Sequence, residues 1–338
     1  MPGAPDDPPP ILFEDDPVGH YWKRPFSEVA TVPRWTFAAA DAERHRIYSL
    51  ALMALLEYYW NGNKSGFHGK YKWRDSQAWS GNTDMWLCKP PLPAAPKVAP
   101  PTDYLGHNIA ALAVDGNGEI IDFDFNHNEV FDSSAEHAEA RLVRRIFSLA
   151  QIGSRWNLAP GVAPDTDYST RLTNVTVYTT LECCAQCSGI MTLGRVKEVV
   201  YLQKDYGTYA IGNVLYQLTH DPSTGRGKPV AAPKPIRAED FGLEHYTALD
   251  AAYRQFFKKA GTEPFFNGKS TQSVAAFLCT DIAYQIYKSG ADQFASIAPA
   301  APDYAPVAGM LTNKRALEEA RNFVNYAKNY GNRGTSHL

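Results

Sequence analysis

Two short segments of this chain hold side chains able to bind a metal ion and move a proton. Ser134-Ala135-Glu136-His137-Ala138-Glu139 offers an imidazole and a carboxylate two residues apart, and Thr180-Leu181-Glu182-Cys183-Cys184-Ala185-Gln186-Cys187 offers thiols three apart at the start of an apolar run. A hydrolytic zinc needs three protein ligands and one open position for water, and one imidazole with two thiolates meets that count. Cys184 and Cys187 stand at i and i+3, so a helix puts both sulfurs on one side of its first turn. Its N-terminal N–H groups and dipole favour thiolate over thiol. His137 completes the expected ligand set, while Glu139 stays off the metal and shuttles protons between water, a ring nitrogen and a leaving amine. Residues i and i+2 of a helix diverge, a difficulty that eases if His137 and Glu139 lie in the first helical turn and the site sits at the helix end.

His-x-Glu followed by Pro-Cys-x-x-Cys is the signature of zinc-dependent base deaminases. Here every element is present except the proline, whose place Cys183 takes. Proline at a first helical position fixes φ and donates no hydrogen bond, so its replacement is tolerable. A second ligand pairing stays open, because Cys183 and Cys187 at i and i+4 could also hold the metal. A lone Cys-x-x-Cys also fits a redox pair or two buried thiols, and a lone His-x-Glu arises by chance. The order of the two segments, with a strand between them, favours the metal site.

The run from Leu181 to Met191, followed by Arg195, Val199-Val200, Asp205, Thr208 and Gly212, resembles the tRNA adenosine deaminase and guanine deaminase branch of the cytidine deaminase-like superfamily. The resemblance spans residues 106–215. It implies a Zn2+ cofactor, hydrolytic deamination and a homodimer. It also implies that Asn126, ahead of His137, binds substrate, since an amide can read a ring edge with donor and acceptor together. The plain alternative is a turn residue in Asn126-His127-Asn128.

The rest of the composition bounds these readings. Hydrophobic content of 44% and charged content of 20% over 338 residues describe an ordinary globular chain with ample core. No apolar run reaches membrane length, and the acidic, proline-rich start is unlike a secretion signal. Beyond the three cysteines of the site only Cys88 and Cys279 remain, which is no disulfide framework and points to the cytoplasm. A formal net charge of -3 does not suggest nucleic acid. The local exception is residues 61–79, where Lys64, Lys70, Lys72 and Arg74 alternate with Phe67, Tyr71, Trp73 and Trp79, as in a single-strand platform.

Periodicity supplies the scaffold. Ile47, Leu50, Ala51, Ala54, Leu55 and Tyr58 recur at helical spacing over residues 41–60, with Asp41 as N-cap. Residues 109–114 and 119–125 read as strands joined by Asp115-Gly116-Asn117-Gly118, a hairpin signal. A helix over 135–151, strands over 174–180 and 198–202, and a helix over 184–193 follow. Residues 220–235 read as loop. Three helices are expected over 239–259, 271–288 and 313–330, the first carrying Leu243, Tyr246, Leu249, Tyr253 and Phe256 on one stripe.

The expected fold is therefore α/β, a three-layer α/β/α sandwich with a mixed central sheet. The expected organisation is a proline-rich extension (1–36), a zinc-dependent deaminase domain (37–260) with an insert (61–104), and a helical extension (261–338). The expected partner is a small-molecule substrate, a base, nucleoside or similar heterocycle. The rival readings are a nucleic-acid deaminase gripping through 64–79 and a non-catalytic protein whose zinc only holds the fold.

Overall fold

The computed structural model describes residues 30–60, 107–128, 133–155, 171–208, 210–220, 230–260, 272–278 and 280–330. The segment 64–79, with the whole of the insert 61–104, residues 1–29 of the N-terminal extension, Cys88 and Cys279 lie outside the described residues.

A five-stranded mixed sheet forms the centre, in the order β2-β1-β3-β4-β5. Strands β1 (Ala110–Val114) and β2 (Ile120–Phe125) form the expected antiparallel hairpin. Asp115 Oδ1 accepts the N–H groups of Asn117 and Glu119 at the turn, and Gly118 adopts φ +95° there. A Cβ on Gly118 would press on the Arg44 guanidinium, and the left-handed φ is the stronger reason for glycine here. Strand β3 (Thr176–Thr179) runs antiparallel to β1 and parallel to β4 (Glu198–Tyr201), which runs parallel to β5 (Lys234–Arg237).

Helices α2 (Ala138–Arg155), α3 (Ala185–Leu193) and α4 (Ile211–Thr219) pack together on one side of the sheet. The connections β3-α3-β4 and β4-α4-β5 are the crossovers that parallel strands require. Helix α1 (Ala39–Tyr58) lies against β1 and β3 on the other side, giving the expected three-layer α/β/α sandwich.

The C-terminal helices complete that second layer. Helices α7 (Asp281–Ser296) and α8 (Asn313–Tyr330) pack along α1, and α5 (Glu244–Ala260) packs on α7. Every residue of α1 from Ile47 to Leu56 is buried, so the helix is covered all round rather than along one stripe. Polar ties fix the arrangement: Glu43 accepts the N–H groups of Ala300 and Ala301 and the Asn313 side-chain amide, and Arg44 donates to the Leu311 carbonyl at 2.6 Å.

Several expectations need correction. Asp41 is not the N-cap of α1; Ala38 holds that position, and Asp41 accepts from the Tyr304 hydroxyl at 2.7 Å. The loop expected over 220–235 ends in strand β5, which carries Pro235 because an edge strand has a free side that needs no ladder hydrogen bond. The helix expected over 239–259 is a 3₁₀ turn (Ala238–Phe241) and α5, separated by Gly242 at φ +74°. The helix expected over 271–288 is likewise two, α6 (Val274–Phe277) and α7, capped by the hydroxyls of Ser273 and Thr280. No helix among the described residues is long and apolar enough to cross a membrane.

Candidate metal centre and cavity

Two helix N-termini meet beyond the end of β3. Cys184 is the N-cap residue of α3 and Cys187 lies in its first turn, so both sulfurs face the same side, as their spacing predicts. His137 immediately precedes α2 and its carbonyl accepts from Arg141, while Glu139 sits in that helix's first turn. The start of α2 is fixed from β2: Asn126 Oδ1 accepts the Ala138 N–H at 2.7 Å. This is how residues two apart serve one site, the divergence at i and i+2 being absorbed at the helix end.

His137, Cys184 and Cys187 each bring a ligand atom within 4.8 Å of the others. His137 Nδ1 lies 3.3 Å from Cys184 Sγ and 3.6 Å from Cys187 Sγ. Cys183, Cys184 and Cys187 are all free thiols. The Cys187 thiol donates to Cys184, which, with His137 beside it, holds Cys184 down at about 4 despite its burial; the same bond pushes Cys187 far up. The Cys184 sulfur, as acceptor of a hydrogen bond from the imidazole, raises the proton affinity of His137 against the opposing cost of burial. Such a cluster gains from giving up protons to a divalent cation, and one nitrogen with two sulfurs is a donor set that suits zinc.

Glu139 is 3% exposed and stands beside the trio. Its Oε1 is 2.6 Å from Thr179 Oγ1 and 3.7 Å from Cys183 Sγ; its Oε2 is 3.2 Å from Cys187 Sγ. Burial, and after it the Glu139 carboxylate alongside, raises the pKa of Cys183 well above that of a free thiol. Its sulfur lies outside the close His137–Cys184–Cys187 group.

A cavity of about 510 Å³ opens onto His137, Glu139 and Cys184. Asn126 lines it, and its Nδ2 is buried with no hydrogen-bond partner among the described residues. Glu182 lines it too, its Oε2 accepting the Asp205 N–H at 3.1 Å while burial raises its pKa to about 7. The far wall comes from Tyr206 and from α5 and α6. The rings of Tyr206 and Tyr253 stack at 5.5 Å with 19° between planes, Phe257 joins them edge-on at 6.0 Å, and the Tyr206 hydroxyl donates to Asp250. Thr179, Glu182, Tyr253 and Phe257 were not singled out for the site from sequence. The pair Phe256-Phe257 was a usable signal, since only one of two adjacent helical aromatics can face a core.

Residues 93–203 match the family profile described as the cytidine and deoxycytidylate deaminase zinc-binding region. The chain is also similar, at 20% identity and a TM-score of 0.26, to a structure from work on A-to-I editing by tRNA:A34 deaminases at the wobble position of transfer RNA, covering 38% of this chain and 82% of that one. A guanine deaminase from Nitrosomonas europaea matches at 20% identity and a TM-score of 0.25, over 42% of this chain and 73% of that one. No curated protein sequence matches.

Proposed function

With residues 93–203 carrying the zinc-binding region of the cytidine and deoxycytidylate deaminases, we propose that this protein is a zinc-dependent hydrolytic deaminase. It replaces an exocyclic amine of a nucleobase, nucleoside or related small heterocycle by oxygen and releases ammonia. The observation that carries the reading is the convergence of His137, Cys184 and Cys187 beside the buried carboxylate of Glu139 on one cavity.

In this reading His137, Cys184 and Cys187 hold the zinc and Cys183 packs on Glu139. Bound zinc supplies Lewis acidity, which brings the pKa of water towards neutrality. Glu139 takes a proton from the attacking water and gives it to the ring nitrogen beside the amine-bearing carbon. The same carboxylate then moves the second water proton to the amine, which leaves as ammonia while the carbonyl forms. Asn126, its Oδ1 engaged at the start of α2, has Nδ2 left to donate to an acceptor on the substrate. The cavity volume falls in the range of roughly 300–1,000 Å³ usual for small-molecule sites, which supports a free ring or nucleoside as substrate.

The test is mass spectrometry on a panel of amino-bearing bases, nucleosides, nucleotides, pterins and short oligonucleotides, comparing wild type with Glu139→Gln. The expected result is a gain of about one dalton in one compound with wild type alone. Silence across the panel from zinc-loaded protein would count for a zinc that only holds the fold.

A further inference from the structure

The proton-shuttling carboxylate proposed above has a neighbour on the strand behind it. Thr179 is the last residue of β3, its side chain fully buried, and its Oγ1 lies 2.6 Å from Glu139 Oε1. The hydroxyl is also 3.1 Å from the Leu181 carbonyl, so it has two acceptors in reach. Cys183 Sγ approaches the same carboxylate oxygen at 3.7 Å. Glu139 is therefore held asymmetrically: Oε1 is turned to the strand, and Oε2 lies on the side of the metal trio, 3.2 Å from Cys187.

We propose that Thr179 is the positioning residue of Glu139, its hydroxyl anchoring Oε1 so that Oε2 faces the water and the substrate. This rests on the deaminase reading for its catalytic consequence and on the geometry alone for the anchor. A carboxylate has freedom about its terminal torsion and two equivalent oxygens. A shuttle that must meet a water and then a ring nitrogen works best with one oxygen fixed. A short O–H···O⁻ bond in a buried site is the strong, directional kind. The hydroxyl oxygen can also accept, with its own hydrogen turned to Leu181, so the contact persists while Glu139 carries the shuttled proton. Thr179 needs no rearrangement to do this, because β3 is paired on both sides, to β1 and to β4, and its backbone is fixed. The role calls for a hydroxyl at the end of this strand, where packing alone would be met as well by valine.

The experiment compares Thr179→Val, which keeps the β-branch and removes the hydroxyl, with Thr179→Ser, which keeps the hydroxyl. Two readouts are taken, kinetics on whichever heterocycle wild type converts and the infrared band of the Glu139 carboxylate, isolated by subtracting the Glu139→Gln spectrum. In Thr179→Val the band shifts, bound zinc is unchanged, and kcat falls about 10- to 100-fold with KM little altered. Thr179→Ser keeps the wild-type band and most of kcat. Should the added methyl fail to pack, Thr179→Ala removes the hydroxyl without it and gives the same two readouts. An unshifted band in Thr179→Val overturns the anchor, as does a shift in both variants, which would make the methyl the relevant group. Wild-type silence on every heterocycle, with the band shifted in Thr179→Val alone, would defeat the deaminase reading and leave the anchor standing.

Discussion

The cavity has two walls of different origin. One is built by residues 126–187, where Asn126, His137, Glu139, Glu182 and Cys184 come from strand ends and helix N-termini around β3. The other is built by Tyr253 and Phe257 of α5 and by Ser273, Val274 and Ala275 around α6. The first wall is defined by residue chemistry, and in the proposed function exchanging a type there removes a ligand or a proton carrier. The second is defined by shape, and many apolar side chains could make it. On the proposed function, the pair teaches that reaction and selectivity are encoded separately in this chain, the one in a handful of identities and the other in a packing arrangement.

The largest effect that can test this division is at the sulfurs. Cys184→Ala and Cys187→Ala should each lose zinc and all measurable turnover, whereas Cys183→Ser should keep zinc at the wild-type ratio, both read by metal analysis of purified protein. X-ray absorption on the zinc-loaded wild type should give two sulfurs, one nitrogen and one oxygen. Retention of zinc in Cys184→Ala and its loss in Cys183→Ser would exchange the roles of these neighbours.

The second wall depends on the helices that cover α1, and a buried carboxylate ties them together. Glu43 is 7% exposed and accepts from two backbone N–H groups and from Asn313. Glu43→Ala takes their acceptor from the Ala300 and Ala301 N–H groups, while the Asn313 amide keeps the Ala40 carbonyl, and should cost about 3 kcal/mol of stability, read from the denaturant midpoint. Metal stoichiometry at low denaturant should stay as in wild type, because the sulfurs and imidazole are held from the other layer.

Histidine burial on the same side of the sheet makes stability depend on pH. His45 lies in α1 with its ring stacked on Phe241 and its Nδ1 3.0 Å from the Tyr178 hydroxyl. Burial lowers its pKa from 6.5 to about 4, against the pull of Glu198 and Asp41. The folded state therefore keeps the ring neutral where the unfolded chain protonates it. Its contribution is complete above about pH 6.5 and is lost as pH falls from there towards 4, by up to about 3 kcal/mol. His127, also lowered to about 4, acts in the same window, so His45→Gln should flatten part of the acid-side loss in melting temperature between pH 7 and pH 4 and leave His127 to account for more.

How much of this was legible in the sequence follows the same division. The hairpin, α2, β3, α3 and β4 were readable because each pairs a local pattern with a strong stop or start, and His137, Cys184 and Cys187 were named together from their types and spacing, with Cys183 left open as an alternative ligand. Helix α4 and strand β5 were missed. The strand holds four residues, one of them proline, and its pairing with β4 is a long-range event that no local pattern announces. Helix α1 was read from Ile47, Leu50, Ala51, Ala54, Leu55 and Tyr58, although Leu52, Met53 and Leu56 between them are apolar and buried as well. A helix apolar on every side must be covered on every side, and that was the available sign that α7 and α8 pack there. The far wall of the cavity went unread although Phe256 and Phe257 stand side by side in the sequence: Phe256 is buried in the core, and Phe257 is left to line the cavity.

Phe257 also gives the smallest expected effect and the sharpest separation of the two walls. It is 44% exposed, lines the cavity and meets Tyr253 edge-on, so it contributes apolar surface to a bound ring without touching the trio or Glu139. An aromatic contact of this kind is worth about 0.5–1.5 kcal/mol. Phe257→Ala should therefore raise KM by roughly 2- to 10-fold for the true substrate, with kcat and zinc content unchanged, since binding that is equal in ground and transition states appears in KM alone. Steady-state kinetics across the substrate panel decides the matter. A fall in kcat with KM constant would mean that the α5 wall aligns the ring for reaction, and the separation between reaction and selectivity would fail at that residue.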